Sequence, residues 1–103
     1  MMDKTLLILD DDAPLRGRLR RAMEVRGFDV IDAGTVREGV AMVRKTPPAF
    51  AILDMKLDDG TGLTLVQELR KKRAEYAPSA PGQHSLAPAV VVAFHHLIAL
   101  MLR

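Results

Sequence analysis

The sequence contains no cysteine and no tryptophan, and its aromatic residues are only three phenylalanines and one tyrosine. The lack of cysteine excludes a disulfide-stabilised scaffold and a cysteine-ligated zinc site, and it fits a reducing compartment such as the cytoplasm. So few aromatic side chains leave little surface for stacking nucleic-acid bases. Because the net charge is only +2 and the basic residues are spread along the chain, we expect no direct nucleic-acid binding.

Long hydrophobic runs are also missing. The longest apolar stretch, from Ala89 to Leu102, includes two histidines and is shorter than the roughly 20 residues that a membrane-spanning helix needs. The apolar run near the N-terminus, Leu6–Leu9, is too short for the core of a signal peptide and is followed by aspartates. These features predict a cytoplasmic protein without a membrane partner, and 103 residues are enough for one domain.

Short apolar segments alternate with segments of helical periodicity in the first part of the chain. The predicted strands lie at 5–9, 28–33 and 50–53; the predicted helices lie at about 14–26, after a capping box at Thr35 and Glu38, and after a cap at Thr64. This alternation predicts an α/β fold with a parallel sheet, helices on both of its faces and right-handed crossovers.

The character of the sequence changes after residue 73. Residues 74–88 are rich in proline and show no clear period, which predicts a linker. Val90–Val92 is the best candidate for a fourth strand, and periodicity does not decide whether the apolar tail after it extends that strand or forms a short helix. We therefore divide the single domain into a core at 1–73 and a divergent linker, fourth strand and tail at 74–103.

Aspartates follow the first and third predicted strands. Asp10 and Asp11 come directly after the first strand, and Asp54 comes directly after the third. In an open parallel sheet, ligands bind at the carboxyl ends of the strands, so these carboxylates converge if the two strands are neighbours. Aspartates at such positions also serve as turn formers or as helix caps, the role that we expect for Asp12. The coincidence of three acids at strand ends favours a site.

Three carboxylates in one crevice repel each other, so the predicted site needs a cation. A set of oxygen ligands at a phosphate-handling site suits Mg²⁺, which keeps several waters and a phosphoryl oxygen among its ligands. The metal would offset the charge of an incoming phosphoryl group, while a carboxylate oxygen acts as the nucleophile. The residues alone therefore predict a Mg²⁺-dependent phosphoryl-transfer site.

Two segments resemble a known family. LLILDDDAPLR at 6–16 resembles the opening of response-regulator receiver domains of two-component systems, and AILDMKLDDGTG at 51–62 resembles their phosphorylation segment. The resemblance covers about residues 4–73 and is closest to the redox-responding regulators of photosynthetic proteobacteria. It implies a doubly wound, flavodoxin-like fold with strand order 2-1-3-4 and, in this chain, a missing strand 5.

The resemblance also implies a role for each matching residue. Asp54 would be the phosphoacceptor and a metal ligand, taking its phosphoryl group from a phosphohistidine of a sensor histidine kinase. Asp10 and Asp11 would form the acidic pocket, with Asp11 a direct Mg²⁺ ligand, and Lys56 would contribute its backbone carbonyl to the metal. Such a domain catalyses its own phosphorylation at most, so it is not expected to be an enzyme in the ordinary sense.

The sequence departs from the family pattern near its end. Family members carry Ser or Thr after strand 4 and Lys after strand 5, whereas here Ala93 and Phe94 follow the predicted fourth strand and no lysine occurs after Lys72. We therefore expect an uncovered sheet edge that self-associates with another chain. The alternative function is that of a truncated receiver remnant, which binds Mg²⁺ or a partner but cannot switch.

Two further interpretations concern Lys56 and the arginines of the first predicted helix. An aspartyl-phosphate phosphatase is disfavoured, because Lys56 stands where such enzymes carry a general acid. The arginines of the first helix, within Arg16–Arg21, are most simply expected to form a solvated face.

Overall fold

The computed structural model of the chain describes residues 3–76 and 89–92, with side chains described for residues 3–72. Strands and helices alternate along these residues, as the sequence predicts. In chain order they are β1 (Thr5–Leu9), α1 (Ala13–Val25), β2 (Asp29–Ala33), α2 (Val36–Lys45), β3 (Phe50–Leu53), α3 (Gly62–Tyr76) and β4 (Ala89–Val92).

The strands form one parallel sheet in the order β2-β1-β3-β4. The predicted strand order and the predicted doubly wound, flavodoxin-like fold are therefore confirmed. β1 and β3 are neighbours, and Leu9 is aligned with Leu53 at the carboxyl ends of the two strands. The residues after Val92, where a tail is predicted, lie outside the described residues. Within the described ranges, no helix is long and apolar enough to cross a membrane.

Two hydrophobic clusters cover the two faces of the sheet. On one face, α2 and α3 pack over alternate strand residues, in a cluster that includes Leu7, Leu9, Ala51, Leu53, Val43, Leu65 and Leu69. On the other face, α1 packs over the intervening residues, in a cluster of Leu6, Ile8, Val30, Leu15 and Leu19. Because successive side chains of a strand point to opposite faces, β1 has to be apolar at almost every position.

The first two helices begin at the predicted caps. The Asp12 carboxylate accepts a hydrogen bond from the Leu15 backbone N–H at 3.0 Å, at the start of α1. The Thr35 hydroxyl oxygen accepts one from the Glu38 backbone N–H at 3.1 Å, at the start of α2. Each cap satisfies a backbone donor that the helix itself leaves without an acceptor.

The predicted cap of the third helix was wrong. α3 begins at Gly62, so Thr64 lies inside its first turn, where its backbone N–H donates to the Thr61 carbonyl at 3.2 Å. The reason is the path of the backbone: the Gly62 N–H donates to the Met55 carbonyl at 3.3 Å, which brings the start of α3 back to the end of β3. α3 therefore starts beside Asp54.

Candidate functional site

Asp10 continues β1 beyond its last strand residue. Its backbone N–H donates to the Ala33 carbonyl at 3.1 Å, which extends the pairing with β2. Its side chain is buried, and Oδ1 accepts a hydrogen bond from the Asp12 backbone N–H at 2.8 Å. This turn fixes the Asp10 carboxylate at the carboxyl end of the sheet, while the next residue, Asp11, is exposed.

Asp54 occupies the equivalent position after β3. Its backbone N–H donates to the Leu9 carbonyl at 2.8 Å, so the pairing with β1 also extends past the assigned strand. The Asp54 residue is buried, and its Oδ1 accepts a hydrogen bond from the Lys56 backbone N–H at 3.1 Å. Since β1 and β3 are adjacent and end at the same level, Asp54 lies beside Asp10.

The structure brings together the three carboxylates that the sequence predicts to converge. Oxygen atoms of Asp10, Asp11 and Asp54 lie within 4.8 Å of one another. Asp10 is 1% exposed and Asp54 is 8% exposed, so two of these acids have little access to water. Burial of close like charges is unfavourable unless a cation offsets them. The donor set consists only of carboxylate oxygens, which fits a hard divalent cation such as Mg²⁺.

Lys56 lies in the turn that follows Asp54. Its side chain is exposed, and its backbone N–H is the group that binds the Asp54 carboxylate. The turn is closed by a hydrogen bond from the Leu57 backbone N–H to the Gly60 carbonyl at 3.0 Å. Gly60 has φ of 150°, a conformation that side-chain-bearing residues rarely adopt. The predicted role of the Lys56 carbonyl as a metal ligand stays a prediction.

Asp59, which the sequence did not single out, joins this loop to α2. Its two carboxylate oxygens accept hydrogen bonds from the backbone N–H groups of Val36 at 2.9 Å and Arg37 at 3.0 Å. These bonds to the ionised form hold the pKa of Asp59 below its usual value. The sequence shows an acid in a loop, but only the fold shows that the first turn of α2 lies next to it.

Arg16 contradicts the prediction that the arginines of the first helix form a solvated face. Its side chain is 22% exposed, and its Nη1 donates to the Asp10 carbonyl at 2.6 Å. Its Nε donates to one carboxylate oxygen of Asp32 at 3.1 Å, and Arg20 Nη1 donates to the other oxygen at 2.7 Å. Arg18 and Arg21 are exposed as predicted, but the prediction failed for Arg16 because Asp32 lies on β2 beneath α1, a proximity that only the sheet order creates.

The position of β4 bears on the hydroxyl that family members carry after strand 4. Val92 is aligned with Leu53, the residue before Asp54. In the sequence Val92 is followed by Ala93, which has no hydroxyl group. The strand register therefore supports the expected lack of a hydroxyl at this position.

The fold is shared with solved response regulators. One is a response regulator from Burkholderia pseudomallei with a phosphorylated aspartic acid, calcium ion and citrate; it aligns with a TM-score of 0.67 and 22% identity, covering 98% of this chain and 67% of that one. Another is the response regulator TrrA of Thermotoga maritima in complex with Mg²⁺-BeF, with a TM-score of 0.66, 21% identity and coverage of 95% and 93%. At this level of identity, the likeness establishes the fold.

The sequence comparisons establish the family. The response regulator receiver domain family matches residues 6–92, a range that includes β4. The photosynthetic apparatus regulatory protein RegA of Rhodovulum sulfidophilum is 52% identical over 73 residues, a match that covers 71% of this chain and 40% of RegA. The chain thus spans about two-fifths of the length of this curated relative. It belongs to the receiver-domain family of two-component response regulators.

Proposed function

We propose that the chain is the phosphoacceptor module of a two-component phosphorelay, and that Asp54 takes a phosphoryl group from a phosphohistidine of a sensor histidine kinase. The observation that carries this proposal is the buried Asp54 carboxylate, held at the end of β3 within 4.8 Å of the Asp10 and Asp11 carboxylates. Membership of the receiver-domain family supports it. A phosphorylated aspartic acid and a Mg²⁺-BeF complex in two proteins of the same fold support the same chemistry.

The residues of the site have two roles in the proposed transfer: Asp54 attacks phosphorus, and the metal-binding groups compensate the negative charge. The hydrogen bond from the Lys56 N–H holds one oxygen of Asp54, which leaves the other for in-line attack on phosphorus. The new bond joins that oxygen to phosphorus, the P–N bond of the phosphohistidine breaks, and its electron pair returns to the imidazole. Asp11, Asp54 and the Lys56 carbonyl would hold Mg²⁺, with Asp10 completing the acidic pocket. When bound, Mg²⁺ offsets the negative charge of the carboxylates and of the phosphoryl group.

Phosphorylation of Asp54 is tested by incubating the chain with acetyl phosphate and Mg²⁺ and measuring its intact mass. We expect the wild type to gain the mass of one phosphoryl group and Asp54→Asn to gain nothing. Asp58→Asn is the matched control, because Asp58 is an exposed acid of the same loop, and it should gain the same mass as the wild type. No gain on the wild type, or an equal gain on Asp54→Asn, would overturn the proposal.

The second candidate function is a receiver remnant that binds Mg²⁺ or a partner without switching. The observation that favours it is the absence of a hydroxyl at Ala93, the residue that follows β4 in the sequence. Family members place a hydroxyl from this position on a phosphoryl oxygen, so its loss weakens both the transfer and its readout. A calorimetric Mg²⁺ titration separates the two candidates: binding that is lost in Asp54→Asn, together with no mass gain from acetyl phosphate, would favour the remnant.

The proposed partners follow from the same site. We also propose a sensor histidine kinase as the phosphoryl donor and the cytoplasm as the location of the reaction. In the described sheet β4 is an outer strand, so the predicted self-association through this edge also stays a proposal.

A further inference from the structure

Arg16 connects α1 to the ends of both strands beside it. Its guanidinium donates to the carbonyl of Asp10, the residue that extends β1, at 2.6 Å. The same guanidinium donates from Nε to Asp32 on β2 at 3.1 Å. The Arg16 guanidinium thus links α1 to β1 and β2 at the carboxyl end of the sheet, where the acidic site lies.

The surroundings of the Arg16 guanidinium hold it in one orientation. Asp32 accepts from Arg16 with one oxygen and from Arg20 with the other, at 2.7 Å, so the contact with Arg16 has a carboxylate oxygen of its own. Gly34 leaves the space that the guanidinium fills: a Cβ at this position would lie 3.0 Å from Arg16 Nη1. Asp32 and Gly34 therefore aim the Nη1 group at the Asp10 carbonyl.

The Asp10 carbonyl belongs to the peptide group that leads directly into Asp11. Asp11 is exposed, so packing does little to orient its carboxylate, and the direction of the preceding peptide matters more. The Asp10 side chain holds the other side of the turn by accepting from the Asp12 N–H at 2.8 Å. A rotation of the peptide between Asp10 and Asp11 would carry the Asp11 oxygens away from Asp54.

We propose that Arg16 is a positioning residue for the acidic site: its bond to the Asp10 carbonyl sets the peptide that presents Asp11 to Asp54. Arginine is needed because its fork donates to the carbonyl and to Asp32 at the same time, whereas a lysine ammonium offers a single charged point without this planar geometry. The proposal rests on the proposed function for the identity of the cation. Arg16 contacts residues of the acidic site and not the metal itself. Mutation of residues that contact metal ligands commonly changes metal affinity by about 10–100-fold.

The test compares two arginines that share one partner. Arg16→Lys removes the geometry that bridges Asp32 and the Asp10 carbonyl, while Arg20→Lys alters only the other contact with Asp32 and an exposed pair with Glu24. We expect Arg16→Lys to weaken Mg²⁺ binding, measured by calorimetry, by about tenfold. Arg20→Lys should stay within about twofold of the wild type, with a similar thermal midpoint in both variants.

A readout without metal separates positioning from loss of fold. In the metal-free protein, the NMR amide signals of Asp11 and Asp12 should move in Arg16→Lys and stay in place in Arg20→Lys. Gly34→Ala is a second variant that keeps the arginine but crowds its Nη1, and it should weaken Mg²⁺ binding in the same direction.

Equal Mg²⁺ affinities for Arg16→Lys and Arg20→Lys would overturn the inference, as would unmoved Asp11 and Asp12 amides in Arg16→Lys. Failure of the proposed function gives a different pattern. A wild type that binds Mg²⁺ but gains no mass from acetyl phosphate refutes phosphotransfer, and a tenfold loss of Mg²⁺ binding in Arg16→Lys still supports the positioning role.

Discussion

Gly62 shows how a single residue limits what the site can tolerate. A Cβ at this position would lie 2.5 Å from the backbone carbonyl oxygen of Asp54 and 3.1 Å from the Met55 sulfur. The carbonyl is part of the backbone that the Asp54 N–H ties to Leu9, and it cannot swing aside as a side chain does. We expect Gly62→Ala to lower the free energy of unfolding by roughly 1–3 kcal/mol and to slow phosphorylation, because either α3 or Asp54 has to shift. Urea denaturation and the mass assay with acetyl phosphate measure the two effects.

The neighbouring residue provides the control for Gly62. Leu63 lies in the same turn of α3 but is 51% exposed, so Leu63→Ala should change stability by no more than about 0.5 kcal/mol. It should also leave the phosphorylation rate unchanged. If Gly62→Ala matched Leu63→Ala in both measurements, the close approach to Asp54 would not constrain this position.

The positions of individual residues were predictable from the sequence only where local pattern determines them. Asp10 and Asp54 each follow an apolar strand, and they lie together because the two strands are neighbours in the parallel sheet, as the sequence prediction supposed. Arg16 and Asp59 were missed, because their partners lie on β2 and at the start of α2. A sequence pattern identifies a charged side chain, but its partner depends on which elements become neighbours.

At the scale of elements, the contact between α2 and α3 depends on a glycine in α2. A Cβ on Gly39 would lie 3.1 Å and 3.3 Å from the two methyl carbons of Leu65, which is fully buried. Alanine favours a helix over glycine by about 1 kcal/mol, but overpacking costs about 1–3 kcal/mol. Because Leu65 has no room to retreat, we expect Gly39→Ala to lower the free energy of unfolding, measured by urea denaturation.

Gly17 in α1 is the matched comparison for Gly39. The nearest atom to a Cβ on Gly17 is Arg21 Nη1 at 3.5 Å, an ordinary contact with the end of a flexible side chain. Gly17→Ala should therefore gain up to about 1 kcal/mol of stability from helix propensity. Opposite signs for the two substitutions are expected; stabilisation by both would show that α2 and α3 can separate to admit a methyl group.

The start of a helix was predicted well where a local cap determines it and poorly where a tertiary contact does. The starts of α1 and α2 were predicted well because Asp12 and Thr35 cap them through hydrogen bonds within a few residues. The start of α3 was predicted too late because it is set by the return of Gly62 to the end of β3, which is a tertiary contact. Local capping can be predicted from a sequence, whereas the approach of one backbone segment to another cannot.

At the scale of the whole molecule, two carboxylates join α2 to the part of the chain that follows β3. Asp59 accepts from the first backbone N–H groups of α2, and Glu68 on α3 accepts from Arg44 Nε on α2 at 2.7 Å. The hydrogen bond from Arg44 holds the pKa of Glu68 below its usual value of 4.5, and backbone hydrogen bonds hold the pKa of Asp59 below 3.8. Both links therefore depend on ionised carboxylates.

The lowered pKa values predict how stability depends on pH. A carboxyl whose folded-state pKa is depressed stabilises the fold above its unfolded pKa, and this stabilisation is lost as the pH falls through the folded value. For Glu68 and Asp59 the loss should begin near their usual values of 4.5 and 3.8 and continue below them. We expect urea midpoints of the wild type to fall over this range.

The double variant Asp59→Asn, Glu68→Gln tests whether these two links carry the acid sensitivity. At neutral pH it should be less stable than the wild type, because both hydrogen-bonded charges are gone. Its stability should change less between about pH 5 and pH 3, so the two urea midpoints should converge as the solution becomes more acidic. Asp58→Asn removes an exposed acid next to Asp59 and should keep the steep profile of the wild type. A double variant that remained as acid-sensitive as the wild type would show that the links through Asp59 and Glu68 do not carry the pH dependence.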